Sequence, residues 1–238
     1  MDRLEISARH YERCADFYAL LCKCCFSFSF TSQEIVDIKT ILRLMRFVDY
    51  EYDTMSHPAR TQFGENLIHF MKSGEYVGLP ESLRKLCSDA RKIYLHKGAH
   101  EKIASLLPVW FSCTEAISRT VDIKEYIYLR KKEGVISMQF IDCALSLDKN
   151  VQKKMTQFAI LGTLVDSFFD IYGDYKRGEI LLATKWNTHM QIGVSCFRYI
   201  SDCCILVARN PKLVKESFLF VVWVWNGGPD PKKSTPQV

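Results

Sequence analysis

The segment Leu161-Gly162-Thr163-Leu164-Val165-Asp166-Ser167-Phe168-Phe169-Asp170-Ile171-Tyr172-Gly173-Asp174-Tyr175-Lys176-Arg177-Gly178-Glu179 decides how the chain is read. Asp166, Asp170 and Asp174 recur at i, i+4 and i+8. In a helix that spacing points three carboxylates along one face over two turns. Leu164, Val165, Phe168, Phe169 and Ile171 surround them with apolar side chains. Like charges at i, i+4 destabilise a helix, so acids kept among apolar neighbours imply a cation held between them. Lys176 and Arg177 follow at once, suited to gripping an anion beside that cation, and Gly178 ends the helix. The competing reading is a solvated acidic face balanced by Lys176 and Arg177.

A second acidic pair lies upstream. In 34–55, Ile38, Leu42 and Met45 form an apolar stripe whose continuation is Asp49 and then Asp53. Two carboxylates one turn apart, extending an apolar face, are costly to bury without a compensating charge. Oxygen-ligated divalent cations such as Mg²⁺ supply that compensation. The plainer alternative is a solvated helix end.

The remainder of the chain reads as helix. Apolar residues recur at helical spacing and period-two alternation is scarce. Helices are expected at 4–25, 33–55, 60–73, 80–96, 98–120, 122–147, 150–176, 179–208 and 211–225, with breaks at Ser56-His57-Pro58, 74–80, Gly178 and Asn210-Pro211. The alternation in 22–30 is the one candidate short strand. The expected architecture is an all-α, single-domain antiparallel bundle over 1–225, followed by a flexible tail at 226–238 rich in Gly and Pro.

Composition sets the class. Of 238 residues, 48% are hydrophobic and 25% charged, enough apolar mass for one sizeable core. The net charge of +5 is too small and too dispersed for a nucleic-acid binder, and it suits an anionic small molecule. The ten cysteines sit mostly in apolar runs and form no paired CxxC units, so they read as small core residues and not as a zinc site. Asp2, Arg3, Glu5 and Arg9 argue against a signal peptide and for a reducing cytoplasmic setting. The longest apolar run, 218–225, is too short to span a bilayer. HExxH, GxSxG, P-loop and GxGxxG signatures are missing from the sequence.

The segment around Asp170 resembles the metal-binding motif of class I terpene synthases, on which Asp166, Asp170, Asp174, Gly178 and Glu179 fall in order. Asp170 stands where a hydroxyl is usual and Asp174 where Glu is usual. Asp49 and Asp53 are similar to the first aspartate-rich motif of that family, with Tyr50 where many members have another Asp. Glu125-Tyr126-Ile127-Tyr128-Leu129-Arg130-Lys131-Lys132-Glu133-Gly134 resembles the helix that carries the family's diphosphate-sensing Arg and a helix break. The resemblance implies an isoprenoid-synthase fold with a central cavity. It implies three Mg²⁺ ions, with Mn²⁺ as the alternative, held by Asp49, Asp53, Asp166, Asp170 and Asp174 at the mouth of the bundle. Arg130, Lys176 and Arg177 would bind the diphosphate, with Arg119 as the other candidate sensor, and a kink at Gly134 would free carbonyls that help trigger ionisation. Phe47, Tyr50, Tyr126, Phe140, Phe169 and Trp186 are the aromatic candidates for a cavity lining, although ordinary core is the plainer reading of each.

The implied activity is Mg²⁺-dependent ionisation and cyclisation of a linear prenyl diphosphate, farnesyl or geranylgeranyl favoured, by a monomer or homodimer. The sequence departs from the family in length and lacks a late Arg-Tyr pair. A squalene or phytoene synthase-like prenyl transferase and a non-catalytic helical protein of the same fold are the competing readings.

Overall fold

Thr31-Ser-Gln-Glu34 is a capping box. The Thr31 hydroxyl accepts from the Glu34 amide, and the Glu34 carboxylate accepts from the Thr31 amide at 2.8 Å. It launches the helix that organises the first half of the chain. The computed structural model describes residues 3–26, 28–145, 147–208 and 213–215. In order the helices are α1 (Arg3–Phe26), α2 (Ser32–Thr54), α3 (His57–Ser73), a 3-10 turn at Glu81–Leu83, α4 (Arg84–His96), α5 (His100–Arg119), α6 (Ile123–Leu145), α7 (Lys149–Arg177) and α8 (Trp186–Ala208). No strand occurs among the described residues, and the fold is all-α.

The segment 22–30 is helical to Phe26, after which the Phe28 and Phe30 rings meet edge to face at 5.1 Å. The expected helix at 179–208 starts only at Trp186. Before it, Ile180 and Leu182 are buried and Leu181 is exposed, and the Leu181 amide donates to the Ser118 carbonyl at 3.0 Å. An apolar run this short carries no decisive period. The expected helix at 211–225 and tail at 226–238 lie outside the described residues, apart from 213–215.

The helices gather into two compact units. Met1–Pro108 and Phe140–Ser146 belong to the first, Val109–Gln139 and Leu147–Val214 to the second. The chain passes from one to the other inside α5, inside α6, between α6 and α7 at 146–147, and again at 214–215. In the first unit α2 packs on α1, α3 and α4. Ile38, Ile41, Leu67, Met71, Leu83 and Tyr94 form its innermost layer. Arg91 of α4 donates to the Met71 and Lys72 carbonyls, satisfying the last turn of α3. In the second unit α7 packs on α8, and Tyr126, Met138, Met155, Leu164, Ile171 and Ile192 are its innermost side chains. Cys22, Cys87, Cys113, Cys143 and Cys196 are buried free thiols, as small hydrophobes would be.

Candidate functional site

The buried face of α7 is a stripe of Ile160, Leu164, Ser167 and Ile171. A small polar residue inside such a stripe needs a partner, and for Ser167 the partner is Arg130 of α6. Arg130 Nε donates to Ser167 Oγ at 2.5 Å, Nη1 to Glu133 at 2.7 Å and Nη2 to Asp166 at 2.9 Å. Ser167 Oγ in turn donates to the Thr163 carbonyl, and Thr163 Oγ1 donates to the Arg130 carbonyl at 2.9 Å. Every branch of the guanidinium is therefore used, and the side chain is only 15% exposed. Burial works against its charge, but Glu133, Tyr126, Asp166 and Asp174 outweigh that effect and hold Arg130 protonated well above its ordinary value.

Gly134, one turn beyond Arg130, was expected to break the helix. The structure corrects this, because α6 runs through it without interruption. Gly134 is buried at a close approach of two backbones. A Cβ there would sit 2.8 Å from Ile160 Cα, 2.9 Å from Ile160 N and 3.0 Å from the Ala159 carbonyl oxygen. The glycine lets α6 come close enough to α7 for Arg130 to reach the acid stripe. Ser167 and Thr163, absent from the sequence-based site, complete that contact. Their signal was a pair of hydroxyls on the α6-facing side of α7.

The three aspartates of α7 occupy graded environments. Asp166, 56% exposed, pairs with Arg130. Asp170 is half-buried. Asp174 is more enclosed and accepts from Arg177 at 2.5 Å. Past Arg177 the chain turns over in a Schellman motif: Gly178 is left-handed at φ 72°, its amide donates to the Tyr175 carbonyl, and the Glu179 amide donates to that of Asp174. Only a residue tolerant of positive φ fits that turn. The reversal brings Glu179 back to Arg177, whose Nε donates to it at 2.9 Å. Burial, and then the Glu179 charge, push the Asp174 carboxyl up to about 7, with Arg177 and Arg130 opposing and Asp166 adding. Burial also raises the Tyr126 phenol, against the pull of Arg130 and a hydrogen bond with Ser167. Tyr126, Arg130, Ser167, Asp166 and Asp174 thus form one electrostatic cluster within the second unit.

The remaining candidates sit elsewhere. Lys176 is exposed, with its ammonium 4.5 Å from the Tyr172 ring centre. Phe169 meets Phe168 edge to face at 5.4 Å. Trp186, at the start of α8, is 81% exposed and walls no enclosed space. Arg119 is exposed, 3.7 Å from Glu115. In the first unit Val48 and Tyr52 are buried on α2, while Asp49 and Asp53 flank them at intermediate exposure. Asp49 accepts from the buried Arg46 at 2.9 Å, and the Asp53 carbonyl accepts from Arg60 at 2.9 Å. Phe47 and Tyr50 are half-buried, with the Arg43 guanidinium 5.5 Å from the Phe47 ring centre. Phe140 belongs to the core of that unit, where its carbonyl accepts from the Tyr94 hydroxyl at 3.3 Å.

An acid-rich, partly desolvated helix face suits a hard divalent cation with oxygen ligands. In the conformation described, Asp166 and Asp174 face arginines, and among the described residues no group of three or more His, Cys, Asp or Glu side chains is disposed to hold an ion. An ion held between these acids would have to compete with the Arg130–Asp166 and Arg177–Asp174 pairs. The chain matches no family model, no curated protein and no solved structure.

Proposed function

We propose that this chain is a metal-dependent enzyme of the class I terpene synthase type, acting on a linear prenyl diphosphate, farnesyl or geranylgeranyl, and releasing diphosphate as the prenyl chain cyclises. The observation that carries the reading is the 2.9 Å contact of Arg130 with Asp166, 36 residues apart in sequence. It joins the basic segment of α6 to the acid stripe of α7, the two motifs that the resemblance requires to work together.

Each residue has a role in this reading. Asp166, Asp170 and Asp174 are the oxygen ligands on α7, and the family resemblance gives Asp49 and Asp53 of α2 the same task. Bound Mg²⁺ supplies Lewis-acid polarisation of the leaving diphosphate. Arg130, held in place by Glu133 and Ser167, turns its fork toward diphosphate oxygens once Asp166 lets go. Arg177 does the same from Asp174, and Lys176 adds an exposed positive charge. The carbon–oxygen bond breaks with its electron pair leaving on the diphosphate. The allylic cation closes by forming a carbon–carbon bond and loses a proton. Aromatic faces stabilise such a cation where water is excluded.

The arginine pairs also favour a second reading. A network in which Asp166 and Asp174 are already satisfied would serve as a strut in a non-catalytic helical protein. Incubation with Mg²⁺ and geranyl, farnesyl or geranylgeranyl diphosphate, followed by gas chromatography–mass spectrometry, separates the two. A cyclic product that disappears in Asp166→Ala is expected. No product and no diphosphate release from any of the three overturns the enzyme reading.

A further inference from the structure

Arg130 and Arg177 sit at the two ends of the acid stripe on α7, both within the second unit. Arg130 Nη2 donates to Asp166 at 2.9 Å, and Arg177 Nη2 donates to Asp174 at 2.5 Å. Each arginine also has an acid outside the stripe. Arg130 Nη1 donates to Glu133 at 2.7 Å, and Arg177 donates to Glu179 from Nε at 2.9 Å and from Nη2 at 3.2 Å. Releasing Asp166 or Asp174 therefore leaves each guanidinium tethered to a second carboxylate beside the stripe.

Asp166 and Asp174 thus meet a lone divalent cation already paired. Letting a guanidinium go to admit the cation sets two positive groups side by side with no anion between them, a repulsion that is weakly screened in a partly desolvated site. Arg130 is only 15% exposed, and a donor left unmade there is costly. Diphosphate arriving alone fares no better, because Asp166, Asp170 and Asp174 share one face and repel it. When both arrive, the carboxylates receive the cation and the guanidiniums receive the diphosphate, whose oxygens suit their planar forks. Each displaced charge then has a new partner of opposite sign.

We propose that Arg130 and Arg177 are latches on the acid stripe: each holds its aspartate against a lone divalent cation and lets go when diphosphate arrives to receive the guanidinium. Cation and diphosphate are then positively coupled, each raising the affinity for the other by the same factor, as linkage requires. This role rests on the metal-dependent reading above and concerns the arginines before substrate binds. An arginine that only gripped diphosphate would leave the affinity for the cation alone unchanged when removed. A latch, when removed, raises it.

Mn²⁺ binding to the full chain, read from the electron paramagnetic resonance signal of the free ion, tests this with and without inorganic diphosphate, after allowance for the complex the two form in solution. The parent should hold Mn²⁺ weakly by itself and about tenfold or more tightly with diphosphate, since one charge-assisted hydrogen bond is worth about a factor of ten or more. Arg177→Gln should bind Mn²⁺ alone about tenfold more tightly than the parent, and diphosphate should then add less. Arg177 is 28% exposed at the last turn of α7, so the variant should keep the helical circular dichroism of the parent. Lys176→Gln removes the same charge one residue away, where the ammonium lies over the Tyr172 ring, and should shift Mn²⁺ binding by less than about twofold. Equal parent affinity with and without diphosphate overturns the latch whatever the variants do. So does an Arg177→Gln affinity no tighter than the parent's, or an equal gain in Lys176→Gln. In each of those cases the metal-dependent reading survives, because Mn²⁺ is still held. Absence of Mn²⁺ binding by both the parent and Arg177→Gln, with or without diphosphate, overturns that reading and the latch with it.

Discussion

Two helical glycines should respond in opposite directions to the same substitution. A glycine inside a helix costs about 1 kcal/mol relative to alanine, so Gly→Ala stabilises by that amount where space allows. At Gly162 on α7 a Cβ meets nothing within 4 Å, and Gly162→Ala should stabilise by about 1 kcal/mol. At Gly134 the added Cβ meets the Ile160 backbone at 2.8 and 2.9 Å and the Ala159 carbonyl oxygen at 3.0 Å. Backbone gives way only if two helices move apart, so the cost lies near the upper end of the overpacking range, about 3 kcal/mol. Subtracting the propensity gain leaves Gly134→Ala destabilised by about 2 kcal/mol. The two variants should then differ by about 3 kcal/mol, or roughly 6–12 °C in melting temperature at 2–4 °C per kcal/mol for a chain of this size. Urea unfolding followed by circular dichroism, with thermal melts alongside, measures both. If Gly134→Ala is as stable as Gly162→Ala, the close approach of α6 and α7 is wrong. Gly134 would then be an open kink, and the contact of Arg130 with the α7 acids would lose its mechanical basis.

Two further outcomes probe the charges. Asp174 keeps its proton in the folded chain between its ordinary 3.8 and its raised value of about 7, whereas the unfolded chain has already lost it. Stability should therefore fall as pH climbs through that window, by up to about 1.4 kcal/mol per pH unit. Asp174→Asn should flatten this slope in thermal melts without added metal, and an unchanged slope would show that Asp174 is not its source. Arg130→Ala leaves Glu133 enclosed without its cation and should cost about 3 kcal/mol or more. Arg130→Lys should recover only part of that in denaturant titrations, because an ammonium lacks the fork that reaches Glu133, Ser167 and Asp166 together. Full recovery by lysine would mean that charge alone matters there.

Much of the fold was legible locally. The helices from 4–25 to 150–176 were found to within a few residues, and the stops at Gly74 and Gly178 coincide with left-handed residues at φ 85° and 72°. Where the reading strayed, the local signal was ambiguous. Pro80 and Glu81 open a 3-10 turn before α4, and the run Ile180-Leu181-Leu182 packs as irregular chain before α8. On α2 the stripe drawn through Asp49 and Asp53 was displaced by one position, since Val48 and Tyr52 hold the buried line. A stripe only a few residues long leaves its angular position open by about one residue, or 100°.

The sequence by itself determined that Asp166, Asp170 and Asp174 share one face of a helix, that Lys176 and Arg177 close its last turn, and that Gly178 ends it. Those facts follow from 3.6 residues per turn and from the sterics of a single backbone, and no distant residue alters them. What each acid touches was decided only by tertiary structure. Arg130 reaches Asp166 across 36 positions because Gly134 lets two helices close to backbone contact and Ser167 supplies the acceptor beneath. The same packing turned an expected helix break into a continuous helix, since whether a glycine kinks a helix or admits a neighbour depends on what lies against it.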